Sequence, residues 1–164
     1  MTENKLVATD VSAEGQTVEL HQSGFFSLSY SEEDETLIVR WRGEVSSEEL
    51  RNGYVLVMDH VRQLRVRKWQ LDLQNRDTIR GEDQRWIFEH VFQEALRVLN
   101  CDIFVAVVLP VFLLDGLVSE LSGDELMHDG NFLIMQHFMY REEAQRWLNE
   151  MHQPKPSNLS PSGY

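Results

Sequence analysis

The chain has 164 residues, of which 42% are hydrophobic and 26% charged, the composition of one ordinary globular domain. Its formal net charge is −12. This charge argues against a general nucleic-acid binder and against peripheral binding to anionic membranes, because both need clustered Lys and Arg.

The first part of the chain is polar and then turns into a hairpin. Residues 1–23 are interpreted as a polar N-terminal arm, in which residues 17–20 form a short edge strand. Residues 25–30 and 36–42 alternate apolar and polar side chains with the period of a strand. The charged residues 31–35 between them predict a solvated tip, so the two strands form an antiparallel hairpin.

A first helix follows the hairpin. Ser46 and Glu49 have the spacing of a capping box, which marks a helix N-terminus. Apolar residues then recur at steps of three and four and predict one buried face. These residues are Leu50, Tyr54, Val57, Met58, Val61 and Leu64. The basic residues that follow suit a helix C-terminus, where carbonyl groups point outward.

The middle of the chain predicts two buried strands separated by a second helix. Residues 69–73 form a short strand, residues 74–81 a polar loop and residues 82–99 a helix. The predicted apolar positions of this helix are Trp86, Ile87, Val91, Ala95 and Val98, with His90 on or near the same side. Residues 102–109 are almost uniformly apolar, which predicts a strand covered on both faces.

The last third predicts a crossover, a strand and a closing helix. Residues 111–121 are apolar and predicted to be helical, residues 122–131 form a loop, and residues 132–140 form the last strand. Residues 141–152 form an amphipathic helix, and the Pro- and Ser-rich residues 153–164 are predicted to be disordered. The resulting order, β-β-α-β-α-β-α-β-α, predicts an α/β fold whose sheet is mostly parallel beyond the hairpin.

No catalytic signature accompanies this order of elements. The sequence has no dinucleotide-binding glycine pattern, no phosphate-binding loop and no nucleophile elbow, so we predict a non-enzymatic protein without a cofactor. His128, Asp129 and His137 resemble metal ligands only by a spacing that is common by chance, and we predict no metal. Cys101 precedes a hydrophobic strand beside Asp102, which favours a buried thiol over a reactive thiolate.

The loop between the central strand and the second helix is the candidate site. In open α/β sheets, ligands and partners meet the loops at the carboxyl ends of the strands. The candidate partner-binding residues are Arg76, Asp77, Thr78, Arg80, Gly81 and Glu82. Glu82 and Asp83 already place negative charge at the start of the helix, so we interpret that end as self-neutralised and not as a phosphate site.

The order of elements and several local patterns resemble STAS domains, most closely the SpoIIAA-like (STAS/SEC14-like) group. The resemblance is in the opening hairpin, in the W-x-L-D-L strand at 69–73, in the spacing of Asp72 and Trp86, and in the EEAQRWL helix at 142–148. It implies a SpoIIAA-like mixed sheet over residues 24–152 and a protein-interaction or regulatory module.

Two further expectations come from the resemblance. In phosphorylation-controlled STAS proteins the central strand runs into a turn that carries a serine, and in this chain that turn falls at residues 80–82, where no serine is present. Thr78 is the one hydroxyl residue of the loop. The alternative function is a carrier or sensor of a small apolar ligand, and a homodimer is compatible with either function.

With one cysteine, no apolar signal segment at the N-terminus and no apolar run long enough to span a bilayer, the predicted location is cytoplasmic.

Overall fold

A central sheet with helices on both faces forms the described part of the chain, residues 17–113 and 126–152 of a computed structural model. The strands are β1 (Thr17–Gln22), β2 (Phe26–Ser31), β3 (Thr36–Gly43), β4 (Lys68–Arg76), β5 (Ile103–Val108), β6 (Leu126–His128) and β7 (Asn131–Phe138). The helices are α1 (Ser47–Leu64), α2 (Gly81–Ile87), α3 (Gln93–Leu99) and α4 (Arg141–His152), and a π-helical segment (Phe88–Phe92) joins α2 to α3.

The seven strands form one mixed sheet in the order β1-β2-β3-β4-β5-β7-β6. The strands β1, β2 and β3 pair antiparallel, which confirms the predicted hairpin. The strands β3, β4, β5 and β7 run parallel, and β6 pairs antiparallel with β7 at the far edge. The predicted α/β class and the mostly parallel pairing beyond the hairpin are therefore confirmed.

The main core lies on one face of the sheet, beneath α1 and the segment from α2 to α3. Helix α1 begins with the predicted capping box, in which the Ser46 hydroxyl accepts from the backbone N–H of Glu49 and the Glu49 carboxylate accepts from that of Ser46. Its apolar stripe packs against Trp41 and Trp69, each 1% exposed. Leu64, at the end of the stripe, is exposed instead of buried.

A smaller cluster lies on the other face, beneath α4. Ala144 and Leu148 of α4 are fully buried against alternate residues of β5, and Trp147 is half-buried beside them. All six residues of β5 are buried, which confirms the prediction of a strand covered on both faces. Met151, predicted to point inward, is exposed at the end of α4.

Two further predictions, in separate parts of the chain, are wrong. Residues 126–128, predicted to be loop, form the edge strand β6, which turns into β7 through Asp129 and Gly130, both at positive φ. Sequence periodicity cannot detect a strand of three residues, although the Asp-Gly pair is a hairpin signal. His90, predicted on or near the buried side of its helix, is exposed.

Several predictions fall wholly or partly outside the described residues. They concern residues 1–16 of the arm, residues 114–121 of the crossover helix, residues 122–125 of the loop and the tail at 153–164. Within the described ranges, residues 111–113 are helical and residues 17–22 form β1.

Candidate functional site

The loop that connects β4 to α2 lies at the carboxyl ends of parallel strands. Arg76, the last residue of β4, pairs with Gly43 at the end of β3. The backbone N–H of Asp77 donates to the carbonyl oxygen of Gly43 at 3.2 Å, so the loop is fixed to the neighbouring strand where it begins. This edge of the sheet is the position at which open α/β sheets present their binding loops.

The predicted site residues divide into an inward and an outward set. Arg76 is 5% exposed, and its Nη2 donates to the carbonyl oxygen of Thr78 at 2.7 Å. Arg80 also turns back toward the protein, where its Nη2 donates to the carbonyl oxygen of Val45 at 2.9 Å. The side chains of Asp77, Thr78 and Glu82 are exposed, so the two arginines support the loop and the other three residues form its outer surface.

A small pocket opens behind the loop, between α1, β4 and the helix that starts at α2. Its volume is about 50 Å³. The walls are apolar, with Leu71 and Leu73 from β4, Ile79 from the loop, and Ile87 and Phe88 from the helical side. On the scale of about 10–15 Å³ for each water, this space holds three to five water-sized groups.

Four buried polar side chains line this apolar pocket, namely Tyr54, Arg76, Asp83 and Gln84. Burial raises the pKa of the Tyr54 phenol well above its usual 10.0, and the neighbouring Trp41 and Arg76, which favour the phenolate, oppose this only in part. Burial lowers the pKa of the Arg76 guanidinium, because desolvation disfavours the cation. The pocket therefore combines apolar walls with a neutral phenol and two buried side chains of opposite formal charge, Arg76 and Asp83.

Asp83 connects the pocket to α1. Its Oδ1 accepts a hydrogen bond from the Ser47 hydroxyl at 2.7 Å, and its Oδ2 lies 3.6 Å from Nε of Arg80. Oε1 of Gln84 is buried and has no hydrogen-bond donor among the described residues. An unpaired buried amide oxygen is costly, which makes the side chain of Gln84 a position that a bound group would satisfy.

Sequence reasoning missed Tyr54, Asp83 and Gln84 as residues of a common site. The sequence pattern places Tyr54 on the buried face of α1 and Asp83 in the first turn of the second helix, and it gives no role to Gln84. The available signal was helical spacing, because Asp83 and Gln84 precede Ile87 and Phe88 by four residues and therefore share their face.

The buried face of this helix agrees with the prediction at Val91 and Ala95 and differs from it at His90, which is exposed, and at Val98, which is half-buried. A π-helical segment, Phe88–Phe92, lies between the two halves of the helix. A π-turn places one extra residue in the helix and rotates the positions that follow. The buried residues beyond the turn are Val91, Phe92, Ala95, Leu96 and Leu99. His90 is directed to the surface instead, where its ring stacks on that of Trp86 with centroids 5.0 Å apart. The guanidinium of Arg51 lies 5.1 Å from the Trp86 ring centroid.

A second polar cluster lies on the opposite face of the sheet, beneath α4. Asp72 is 3% exposed, and its Oδ2 accepts from Nε of Arg40 at 3.1 Å and from Nε of Arg141 at 2.8 Å. Its Oδ1 accepts from the backbone N–H of Gln74 at 3.1 Å. The cluster connects β3, β4 and α4 through satisfied hydrogen bonds, so we interpret it as structural.

The remaining residues considered from the sequence do not form a site in the described ranges. His128 lies beside Asp129, with Nε2 and Oδ2 3.9 Å apart. His128 pairs with Asn131 at the start of β7. His137 lies six residues further along this strand, which corresponds to a distance of roughly 20 Å at the rise of a strand. No group of three metal-ligating side chains occurs in the part of the chain that the structure describes. Cys101 is a half-buried free thiol.

None of the helices within residues 17–113 and 126–152 has the length and apolar character that a membrane crossing requires.

The comparisons with known proteins identify no family. Neither the family models, nor the curated proteins, nor the solved structures include a match to this chain. The function of the loop and the pocket is therefore argued from their own geometry.

Proposed function

We propose that the chain is a non-enzymatic, STAS-like interaction module that binds a protein partner through residues 74–82 and the exposed side of α2. The order of the described elements supports this proposal, because the hairpin of β2 and β3 leads into the parallel strands β4, β5 and β7, as a SpoIIAA-like sheet would require. The lack of catalytic motifs in the sequence is in keeping with it.

The observation that carries the proposal is the inward orientation of the two loop arginines. Arg76 and Arg80 bond to backbone carbonyl groups and fix the loop, and the exposed residues within 74–82 are Asn75, Asp77, Thr78 and Glu82. A surface fixed in this way loses little conformational entropy when a partner binds. Since two of the four exposed residues within 74–82 are acidic, none is basic, and the chain carries a net charge of −12, the partner surface is expected to be basic.

The start of α2 supports binding without phosphorylation control. Gly81 begins the helix, and the backbone carbonyl of Arg80 accepts from the N–H groups of Asp83 and Gln84, each at 3.1 Å. No hydroxyl occupies positions 80–82, and the exposed Glu82 supplies a permanent negative charge there. We therefore propose a constitutive acidic surface in place of a switch that a kinase operates.

Charge reversal of the outer residues tests the proposal. The variant Asp77→Lys/Glu82→Lys should lose partner capture from source cells while its thermal unfolding stays within a few degrees of the wild type, because both side chains are exposed. Capture is measured with a photo-cross-linking residue at Thr78, so that only a protein in contact with the loop is recovered.

The matched control reverses two exposed acids at the other end of the strands. Glu32→Lys/Glu33→Lys changes the net charge equally, at the tip of the β2–β3 hairpin. This variant should keep the cross-linked partner. If both variants lose it, net charge and not the loop determines capture, and if neither loses it, the proposed surface is wrong.

The alternative function, a carrier or sensor of a small apolar ligand, has weaker support. Its supporting observation is the apolar wall of the pocket behind the loop. The pocket volume of about 50 Å³ is well below the roughly 300 Å³ at which drug-sized ligands are usually enclosed. Native mass spectrometry of the protein from its own cells distinguishes a bound polypeptide, a bound small molecule and a homodimer by their added masses.

A further inference from the structure

The buried polar atoms that lack a hydrogen-bond partner are concentrated in the pocket behind the loop. Five such side-chain atoms occur in the described ranges, and four of them belong to residues that line this pocket. Two are donors, Nε1 of Trp41 and Nε of Arg76, and two are acceptors, Oδ2 of Asp83 and Oε1 of Gln84. Because buried polar groups in proteins are normally paired, this concentration points to a site that a bound group completes.

On the donor side, Arg76 needs an acceptor. The indole of Trp41 lies beside the phenol of Tyr54, so its N–H has a polar neighbour within the protein. Arg76 uses Nη2 for the carbonyl oxygen of Thr78, whereas its Nε–H has no acceptor in the part of the chain that the structure describes. A carbonyl oxygen of a ligand would satisfy this N–H.

On the acceptor side, Asp83 and Gln84 each need a donor. Oδ1 of Asp83 accepts from the Ser47 hydroxyl, while its Oδ2 lies 3.6 Å from Nε of Arg80 and makes no hydrogen bond to any described residue. Gln84 is 8% exposed, and its Oε1 also lacks a donor among these residues. The pocket therefore calls for a ligand with one acceptor and two donors.

The charges at the pocket favour an uncharged ligand. Arg76 and Asp83 are the charged residues that line it, and their formal charges cancel. The charges of Asp77 and Arg80, which lie close to these two residues, cancel as well. An anion would be repelled by the unpaired oxygen of Asp83, and a cation would be repelled by the guanidinium of Arg76.

We propose that this pocket binds a small uncharged molecule that carries a primary carboxamide group. The carbonyl oxygen of the carboxamide accepts from Nε of Arg76, and its two N–H groups donate to Oδ2 of Asp83 and Oε1 of Gln84. The short carbon chain packs against apolar wall residues, among them Leu73 and Ile79.

The size of the pocket sets the size of the ligand. A volume of about 50 Å³ matches a molecule of about four or five non-hydrogen atoms, the size of acetamide or propionamide. This binding goes beyond the partner binding proposed above and is independent of it, since the partner surface faces outward and the pocket lies behind it.

Titration of the full chain with acetamide and propionamide, followed by ¹H–¹⁵N NMR, tests the proposal. We expect saturable shifts confined to the residues of the pocket and a downfield shift of the Arg76 Nε–H signal. Sodium acetate, an anion of the same shape, and acetone, which has the carbonyl group without the N–H donors, should cause no saturable shift.

The controls decide what the pocket recognises. No saturation by either amide would overturn the proposal and assign the unpaired groups to ordered water. Binding of acetone as tight as that of acetamide would overturn it too, because the pocket would then select for shape and not for N–H donors.

The variant Asp83→Asn should reverse the preference of the pocket. It keeps an oxygen that can accept from the Ser47 hydroxyl, but it replaces the second oxygen with an N–H donor and leaves the charge of Arg76 unbalanced. Acetamide binding should weaken by about tenfold or more, and acetate should begin to bind. Wild-type affinity for acetamide in this variant would contradict the proposed contacts.

The variant Gln84→Leu removes one acceptor with little change in volume. Its folding should be preserved, because an apolar side chain replaces an unpaired buried polar one, and acetamide binding should weaken by about tenfold. The matched control, Gln93→Leu, makes the same change at an exposed glutamine of α3 and should bind within about twofold of the wild type. Equal affinity in the wild type and Gln84→Leu would show that the amide binds elsewhere.

Discussion

At the scale of single residues, His137 is half-buried and has a buried ring nitrogen without a hydrogen-bond partner among the described residues. It lies on β7 opposite Val107 of β5, and its Nε2 has no partner among the described residues. Burial lowers the pKa of this imidazole below its usual 6.5, because the charged form is desolvated. The unfolded chain therefore binds this proton more readily than the folded chain does.

This difference predicts the sign of a pH effect on stability. Above the unfolded-state pKa of 6.5 the imidazole is neutral in both states and contributes no pH dependence. As the pH falls below that value, the free energy of unfolding should decrease by at most about 1.4 kcal/mol per pH unit, until the pH reaches the folded-state pKa. Urea unfolding of the wild type and of His137→Gln, at about pH 8 and at about pH 5.5, measures it. An equal loss of stability in both proteins would contradict the assignment to His137.

At the scale of elements, the contact between α1 and β3 depends on a glycine inside a helix. Gly53 lies in the middle of α1, where glycine costs about 1 kcal/mol relative to alanine. A Cβ at this position would overlap the indole ring of Trp41, which is 1% exposed on β3. The missing side chain thus allows the helix to approach the sheet closely.

Gly53→Ala should therefore lower stability in spite of its better helix propensity. We expect the free energy of unfolding to fall by about 1–3 kcal/mol, because the indole must leave its packed position. The matched control is Asn52→Ala, an exposed neighbour on the same helix, which should change stability by less than about 0.5 kcal/mol. Denaturant unfolding followed by tryptophan fluorescence measures both, and a more stable Gly53→Ala variant would contradict the packing argument.

At the scale of the whole molecule, Asp72 joins elements that are distant in sequence. It bonds to Arg40 of β3 and Arg141 of α4, which are 35% and 46% exposed, so part of this attraction is lost to solvent screening. Asp72→Ala should lower the free energy of unfolding by about 2–3 kcal/mol, because a buried acceptor of charged hydrogen bonds is lost. Asp59→Ala, which removes an exposed carboxylate paired with Arg62, should cost less than about 1 kcal/mol. Similar losses in both variants would show that the cluster contributes no more than a surface pair.

Much of the fold was predictable because local patterns agreed with burial. The hairpin, the capping box of α1 and the apolar run of β5 each depend on residues within a short window. The polar stripe of β4 was not predictable as buried, because Lys68, Gln70 and Asp72 are covered by polar partners on neighbouring strands and on α4. The π-turn likewise has no signature in the helical period that precedes it.

The position of the candidate loop at the carboxyl end of β4 was predictable, but the orientation of its side chains was not. The rule that binding loops follow the carboxyl ends of strands located residues 74–82. It could not tell which side chains point inward, because the hydrogen bonds of Arg76 and Arg80 end on backbone carbonyl groups. Nor could it find Tyr54, which α1 brings to the same pocket from a separate part of the sequence.

The polar contact between α4 and the sheet has a consequence for how the molecule opens. Ala144 and Leu148 are the fully buried apolar residues of this helix, and Trp147 packs half-buried on Phe104 and Phe138. The helix also makes polar contacts, in which Arg141 donates to Asp72, Gln145 accepts from Gln70, and Asn149 accepts from Lys68. Detachment of α4 would expose the smaller apolar cluster beneath it, including Phe104, Ala106 and Val108 of β5, and leave the larger core on the other face covered. We therefore expect this local opening to depend less steeply on urea than global unfolding does. The two clusters lie on opposite faces of one sheet, and we expect them to open as separate cooperative units, the face beneath α4 first and the main core last.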